Sequence, residues 1–313
     1  MRVIALFFAV LLTACQGVLD LDERENAPVP DALLKVMKTK NMNPASPIML
    51  RIHKKDSEME VWKQTRTGRY ALLKTYEICK WSGQLGPKFK EGDRQAPEGF
   101  YTVAPAQMNP RSSYHLAFNM GFPNTYDRSH NRTGSHLMVH GACSSAGCYS
   151  MTDELIQEIY ALVRDAFAGG QKAFQIQAYP FRMTPKNLAE YHNHQHYEFW
   201  KMLKRGNDHF ELTGRPPKVD VCNGRYVFNT FTDGRYDARR ECPELKMPPR
   251  LAASFIAKQQ ADAQLFAKKL PRSMRTAFAA PSQSEVLGGI TVASEAAIEA
   301  ATGDNNKSAD PAS

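Results

Sequence analysis

Short apolar runs bounded by turn residues fill much of the first two hundred positions, and three-to-four-residue periods interrupt them only in a few places. Ile48 to His53 and Glu58 to Lys63, joined by Lys54-Lys55-Asp56-Ser57, predict an antiparallel hairpin. Tyr70 to Ile78, after Thr67-Gly68, predicts a third strand. Glycine and proline then punctuate the chain at Gly83, Gly86-Pro87, Gly92 and Pro97-Glu98-Gly99 before a strand at Phe100 to Val103. Further strands are predicted at His115 to Phe118, at Ser135 to His140 and at Phe174 to Ala178. In the second of these, period two puts His136, Met138 and His140 on one face and the apolar Leu137 and Val139 on the other.

Helical periodicity is clearest after Thr152. Asp153 and Glu154 suit the positive end of the helix dipole, Leu155, Ile156, Ile159, Leu162, Val163 and Ala166 form one stripe, and Gly169-Gly170 stops it. That stripe has to pack on a sheet. A short helix is expected at Ala32 to Met37 behind Asp31, another from Lys186 to about Arg205 ending near Gly206, and a third from Leu251 to Lys269. Many short strands with helices outside them make the chain α+β: a mainly antiparallel β-core from about 45 to 180 and a helical C-terminal extension from 181 to 280 packed on it. Residues 281–313 are rich in Ser, Ala, Gly and Glu and read as a disordered acidic tail.

The 313 residues are 42% hydrophobic and 23% charged, which excludes a disordered or fibrous chain. Net charge is +8; five acids against Lys307 make 281–313 −4, so residues 1–280 carry +12. A basic body suits an anionic partner, and charge alone does not choose among nucleic acid, a lipid surface and a carboxylate-bearing polymer. The first residues narrow the choice. Met1-Arg2, the apolar run Val3 to Leu12 and Thr13-Ala14-Cys15 have the layout of an export signal, with Cys15 placed as in a bacterial lipobox. Residues 1–14 read as a lipoprotein signal peptide, 15–29 as a linker, and 30–180 as the first folded domain. An ordinary cleaved signal that happens to contain a cysteine is the alternative. Gln16 after a lipidated Cys15 resembles lipoproteins sorted to the outer membrane, so the expected location is exported, periplasmic and lipid-anchored.

The chemistry concentrates in Val139-His140-Gly141-Ala142-Cys143-Ser144-Ser145-Ala146-Gly147-Cys148-Tyr149-Ser150. A thiol is a weak nucleophile at its free pKa of about 8.5, and a neighbouring imidazole and a helix N-terminus both favour thiolate. Cys148 has both close in sequence. The amides of Gly147 and Cys148 can point at the oxygen of an attacked carbonyl. The stretch therefore reads as nucleophile, base and oxyanion site in one loop.

These residues resemble the L,D-transpeptidases with a YkuD-type catalytic domain, and within them the YafK-like branch. Val139-His140-Gly141 matches the family's V/I-H-G, Ser145-Ala146-Gly147-Cys148 matches S-H-G-C, and Pro97-Glu98-Gly99-Phe100-Tyr101 is similar to its T-P-x-G-x-Y/F turn. The resemblance covers about residues 45–180. It implies a β-sandwich-like core, with Cys148 as nucleophile, His140 as general base and proton donor, and Gly147 as oxyanion amide. It also implies a thioester on the diaminopimelate carbonyl of a peptidoglycan stem peptide, passed on to an amine. Two positions depart from the pattern: Ala146 replaces a histidine and Ser150 an arginine. Members of this branch can act as amidases that release a peptidoglycan-linked outer-membrane lipoprotein through the same thioester, and that outcome is the alternative. Arg128, Arg132, Ser145 and Tyr149 are the expected substrate-binding residues.

A different class stays open beside the enzyme: a non-catalytic lipoprotein that holds cell wall by its basic surface, with Cys148 inert. After Cys15, five cysteines remain, so at least one thiol is free. Cys222 with Cys242 is the preferred disulfide, and Cys79 with Cys143 a second possibility. His192 and His196 would share a helical face, but no third ligand accompanies them, and a solvated surface is the expected role of His192, His194 and His196. His130 reads as a turn histidine in solvent. No metal or other cofactor is expected, and no nucleic acid; the partners are stem peptides, a peptidoglycan-linked lipoprotein and the membrane through the anchor.

Overall fold

The computed structural model describes residues 24–275 and 278–294. Among them no helix is long and apolar enough to cross a membrane. Contacts divide the described residues into two compact units, one of 24–124 and 132–180, the other of 125–131, 181–275 and 278–294.

The strands of the first unit are β1 (Ile48–His53), β2 (Glu58–Gln64), β3 (Tyr70–Glu77), β4 (Lys80–Trp81), β5 (Gly99–Val103), β6 (Met108–Asn109), β7 (Ala117–Asn119), β8 (Met138–His140), β9 (Tyr149–Ser150) and β10 (Phe174–Tyr179). They make two five-stranded sheets, ordered β3-β2-β1-β10-β5 and β4-β9-β8-β7-β6. Neighbours are antiparallel except β1 with β10 and β8 with β9. The β1–β2 hairpin pairs His53 with Glu58 across the turn the sequence marks. One apolar cluster joins both sheets: Leu50, Ile52, Val61 and Ile176 from the first, Phe118, Val139 and Tyr149 from the second. Burying each such side chain contributes about 1.5–3 kcal/mol.

The helix Asp153–Ala168 adds Ile156, Ile159, Leu162 and Val163 to that cluster. Thr152, two residues past the end of β9, caps it by accepting the Leu155 N–H and fixes where the helix begins. At its other end Gly169 packs so tightly that a Cβ would stand 1.9 Å from the Ala45 carbonyl oxygen. The core is α+β and mainly antiparallel.

In the second unit the single helix expected from Lys186 to Arg205 is two, Pro185–Glu190 and Tyr197–Thr213. The break has an aromatic cause: Tyr191 stacks on Phe181 at 4.8 Å and His194 on the fully buried Trp200 at 4.3 Å, which pulls the intervening turn out of helical geometry. The second helix runs through Gly206 and stops at Gly214, left-handed at φ 64°, whose N–H returns to the Phe210 carbonyl. The helix Pro249–Lys269 follows the hairpin of β11 (Val219–Cys222) and β12 (Arg225–Phe228), where Cys222 is bonded to Cys242. The short helix Thr125–Ser129 belongs to this unit because Tyr126 stacks on Tyr226 at 4.4 Å. Disorder from 281 onward is corrected for 283–292. Ser282 and Glu285 form a capping box for the helix Gln283–Leu287, and β14 (Ile290–Val292) pairs in parallel with β13 (Leu245–Met247). Residues 1–23, including Cys15, and 295–313 lie outside the described residues.

Candidate active site

Strands β8 and β9 lie side by side and parallel, with Val139 opposite Tyr149 and His140 opposite Ser150. Parallel neighbours ordinarily need a crossover of a dozen residues or more. Here residues 141–148 suffice, because Ala142 and Cys143 are both left-handed, at φ 59° and 46°, and Gly147 adopts φ 127°. Non-glycine residues in that region store strain, so the surroundings have to hold the loop. Several ties do so. The Ala142 N–H donates to Asp153 Oδ1 at 2.7 Å, the Cys143 N–H to the Met151 carbonyl at 3.1 Å, and Cys143 is disulfide-bonded to Cys79. Gly141 is confined for another reason: a Cβ there would lie 2.5 Å from Asp153 Oδ1.

Cutting the Cys79–Cys143 tether, with both residues changed to serine, is expected to lower stability by about 2–4 kcal/mol, since the bond closes a sequence separation of 64. Thermal unfolding of the oxidised protein against the double variant checks this. An unchanged midpoint would mean that the hydrogen bonds alone hold the loop.

Cys148 is the free cysteine among the described residues and is half-buried. Its Sγ accepts the Met138 N–H at 3.4 Å and lies 3.6 Å from the His136 carbonyl. Two residues past Met138, at the end of β8, stands His140, only 3% exposed. Its Nδ1 is 2.6 Å from the Gly141 carbonyl oxygen. A carbonyl only accepts, so Nδ1 carries the proton and Nε2 of the neutral ring keeps its lone pair. Burial pulls the His140 pKa below its usual 6.5, partly offset by the bond to Gly141. Burial pushes the Cys148 thiol above its usual value, partly offset by the Met138 N–H and by the charge of Lys88. The low-pKa thiol expected from the sequence is therefore corrected in direction. Both shifts favour the uncharged form, a thiol at Cys148 and a neutral imidazole at His140.

Ser145 orients this loop: its hydroxyl donates to the Cys148 carbonyl at 2.8 Å and lies 3.1 Å from Ser82 Oγ. Gly147 precedes the thiol with a backbone only glycine adopts readily, and a Cβ there would approach Leu137 Cδ1 at 3.4 Å. Tyr149 is corrected as a substrate contact. It is fully buried, its hydroxyl donates to the Pro97 carbonyl at 2.7 Å, and burial raises its pKa well above the usual value. Arg132, 8% exposed, lies over the Phe89 ring at 5.3 Å. Arg128 is exposed on the short helix of the second unit, where its carbonyl accepts from Arg239. His130 is in that unit too, 2.9 Å from the Gly224 carbonyl. His136 does not lie on the β8 face. At φ 54° it precedes the strand and supplies a carbonyl beside the thiol. His192 and His196 do not share a helical face either, because 191–196 is a turn.

Sequence reasoning missed the residues that lie against His140 and Gly147. The half-exposed Tyr114 ring stands 4.7 Å from the His140 ring. The loop 82–98 lies against Gly147 through Gln95, and carries Lys88 and Asp93. It is anchored by the buried Lys54, whose Nζ donates to Glu98 at 3.1 Å and to the Gly86 carbonyl at 2.9 Å. The glycine and proline punctuation marked that loop in the sequence, but none of these side chains.

The unit is a two-sheet α+β fold in which a histidine ending β8 and a free cysteine preceding β9 flank one short connection. Residues 43–169 match the YkuD L,D-transpeptidase catalytic domain. The chain belongs to the L,D-transpeptidase family, whose members act on peptidoglycan stem peptides. It is similar to YafK of Escherichia coli strain K12, provisionally designated an L,D-transpeptidase: 43% identical over 227 residues, spanning 72% of this chain and 90% of YafK. YafK of Escherichia coli O157:H7 gives the same figures. Among solved structures, the helical cell shape determining protein Pgp2 of Campylobacter jejuni aligns at TM-score 0.35 and 18% identity, over 61% of this chain and 79% of that one. Bd1075 of Bdellovibrio bacteriovorus aligns at TM-score 0.30 and 20% identity, over 44% and 49%.

Proposed function

We propose that this chain is a cysteine L,D-transpeptidase of peptidoglycan, with Cys148 as nucleophile and His140 as general base. The observation that carries the reading is a free Cys148 whose sulfur meets the Met138 N–H, two residues along β8 from a His140 whose Nδ1–H is committed to the Gly141 carbonyl, so that Nε2 keeps its lone pair. In the first step Nε2 takes the thiol proton as Sγ bonds to the carbonyl carbon on the L-centre of a diaminopimelate residue. The amides of Gly147 and Cys148 face the oxygen as it becomes an oxyanion. The C–N bond beyond that carbonyl then breaks, and the departing amine takes the proton from His140. A thioester remains. An acceptor amine attacks it, gives its proton to Nε2, and leaves as the new amide while the thiol is restored.

A second reading, hydrolysis, is favoured by two residues. Ser150, where the family pattern has an arginine, is fully buried and donates to the Lys80 carbonyl, and Ala146 stands where the pattern has a histidine. With neither basic group present, the acceptor side has less to hold a second stem peptide, and water can resolve the thioester. This route would release a lipoprotein or peptide from the wall. Feeding the protein a donor muropeptide with and without an acceptor amine separates the two. New cross-links support transpeptidation, and release at the same rate in both arms supports the amidase.

The location belongs to the same proposal: export, a lipid on Cys15, and residence in the periplasm at the outer membrane. Labelled fatty acid incorporated into the wild-type chain and lost in Cys15→Ser is the expected result. Equal labelling of both would remove the anchor from the account.

A further inference from the structure

We propose that Asp153 is a positioning residue for His140 and acts on it through one peptide group, a role that rests on the reading of His140 as the general base. The Gly141–Ala142 peptide is engaged at both ends. Its carbonyl oxygen accepts from His140 Nδ1 at 2.6 Å, and its N–H donates to Asp153 Oδ1 at 2.7 Å. Carboxylate, peptide and imidazole thus form one hydrogen-bonded chain. An anion drawing on the N–H polarises the amide and makes its carbonyl a stronger acceptor, which holds the Nδ1–H tautomer and stabilises positive charge on the ring. Both effects make Nε2 a better base.

The surroundings fix each member of the chain. Asp153 opens the helix Asp153–Ala168, where the helix dipole favours an anion. Its other oxygen lies 3.9 Å from His115 Nδ1, and His115 Nε2 is 3.0 Å from Oε1 of Gln157, one turn further along the same helix. The Gly141 N–H reaches the Tyr114 carbonyl at 3.0 Å and the Met151 N–H the His140 carbonyl at 2.8 Å, so the peptide is held from both flanks. Gly141 gives the carboxylate its room, since a Cβ there would stand 2.5 Å from Asp153 Oδ1. Titratable groups that face the chain are Tyr114, whose ring is 4.7 Å from that of His140, His115, and Glu154, whose carboxylate feels the charge of His115. Burial lowers the His140 pKa and the bond to the Gly141 carbonyl raises it, which is the direction in which the chain works.

Asp153→Asn decides between this role and simple loop support, because an amide oxygen can still accept the Ala142 N–H while the charge is gone. The readout is the nitrogen NMR spectrum of the His140 imidazole across pH in the oxidised full chain, assigned by its loss in His140→Gln, with circular dichroism confirming the fold. Wild-type His140 is expected to be the Nδ1–H tautomer when neutral. Removing a neighbouring anion destabilises the imidazolium, so in Asp153→Asn the ring is expected to titrate at lower pH, with a proton affinity about threefold to tenfold below wild type. Glu154→Gln takes a charge from the same helix end while leaving the Asp153 contact in place, and its effect is expected to stay within about twofold. An unmoved titration in folded Asp153→Asn, equal shifts in Asp153→Asn and Glu154→Gln, or an Nε2–H tautomer in the wild type would overturn the inference. The titration needs no stem peptide, so a shifted Asp153→Asn in a protein whose turnover survives His140→Gln upholds the link from Asp153 to His140 while the reading of His140 as base fails.

Discussion

Cys148→Ala is expected to eliminate every covalent acyl adduct and to lower turnover of stem-peptide substrates by about 10⁴-fold or more, the scale at which loss of a nucleophile acts. The fold should survive the change. Cys148 is half-buried, and its sulfur makes two weak contacts, at 3.4 Å and 3.6 Å. A stability change within about 1 kcal/mol is therefore expected. Activity measured beside thermal unfolding separates chemistry from folding. Substantial turnover in the alanine variant would remove Cys148 from the mechanism, whereas an inactive variant that still pulls down cell wall would bear only on binding.

Removal of the base comes next in size. His140→Gln is expected to lower turnover by about 10²–10⁴-fold and, more tellingly, to change the pH profile. The sign follows from the direction of the shift. Burial holds the His140 pKa below 6.5, so the imidazole is neutral and able to accept a proton at neutral pH, and it loses that ability as pH falls through its lowered pKa. The wild-type acid limb should therefore lie below pH 6.5 and vanish in His140→Gln. With the base gone, turnover should rise toward alkaline pH, because the thiol, whose pKa burial raises, then ionises without help. Turnover against pH for both proteins checks this. An acid limb that persists unchanged in His140→Gln would assign it to another group.

How much of this was readable in advance depends on the reach of each interaction. The β1–β2 hairpin, the Thr152-capped helix and the His140–Cys148 loop are local features, carried by neighbours in sequence, and they stand where the pattern puts them. What escaped depends on distant partners. The turn at 191–196 needs Phe181 and Trp200 to explain it, and the strand Ile290–Val292 has meaning only beside Leu245–Met247. Tyr149 follows the nucleophile in sequence and so reads as a site residue, but its pairing opposite Val139 sends the ring into the core. The direction of the thiol pKa failed for a related reason: sequence proximity suggested activating neighbours, and burial outweighs them. Lys88, Asp93 and Tyr114 carried no local signal, since their significance comes from which loops the two sheets bring together.

The most direct test of the central claim is the intact mass of the protein mixed with a purified tetrapeptide muropeptide and quenched early. The account predicts a mass increase equal to the muropeptide less its terminal alanine, mapped to Cys148, reversed by hydroxylamine as a thioester must be, and missing from both Cys148→Ala and His140→Gln. A folded protein that turns over muropeptides with no such adduct, or that carries the adduct on another residue, would contradict it.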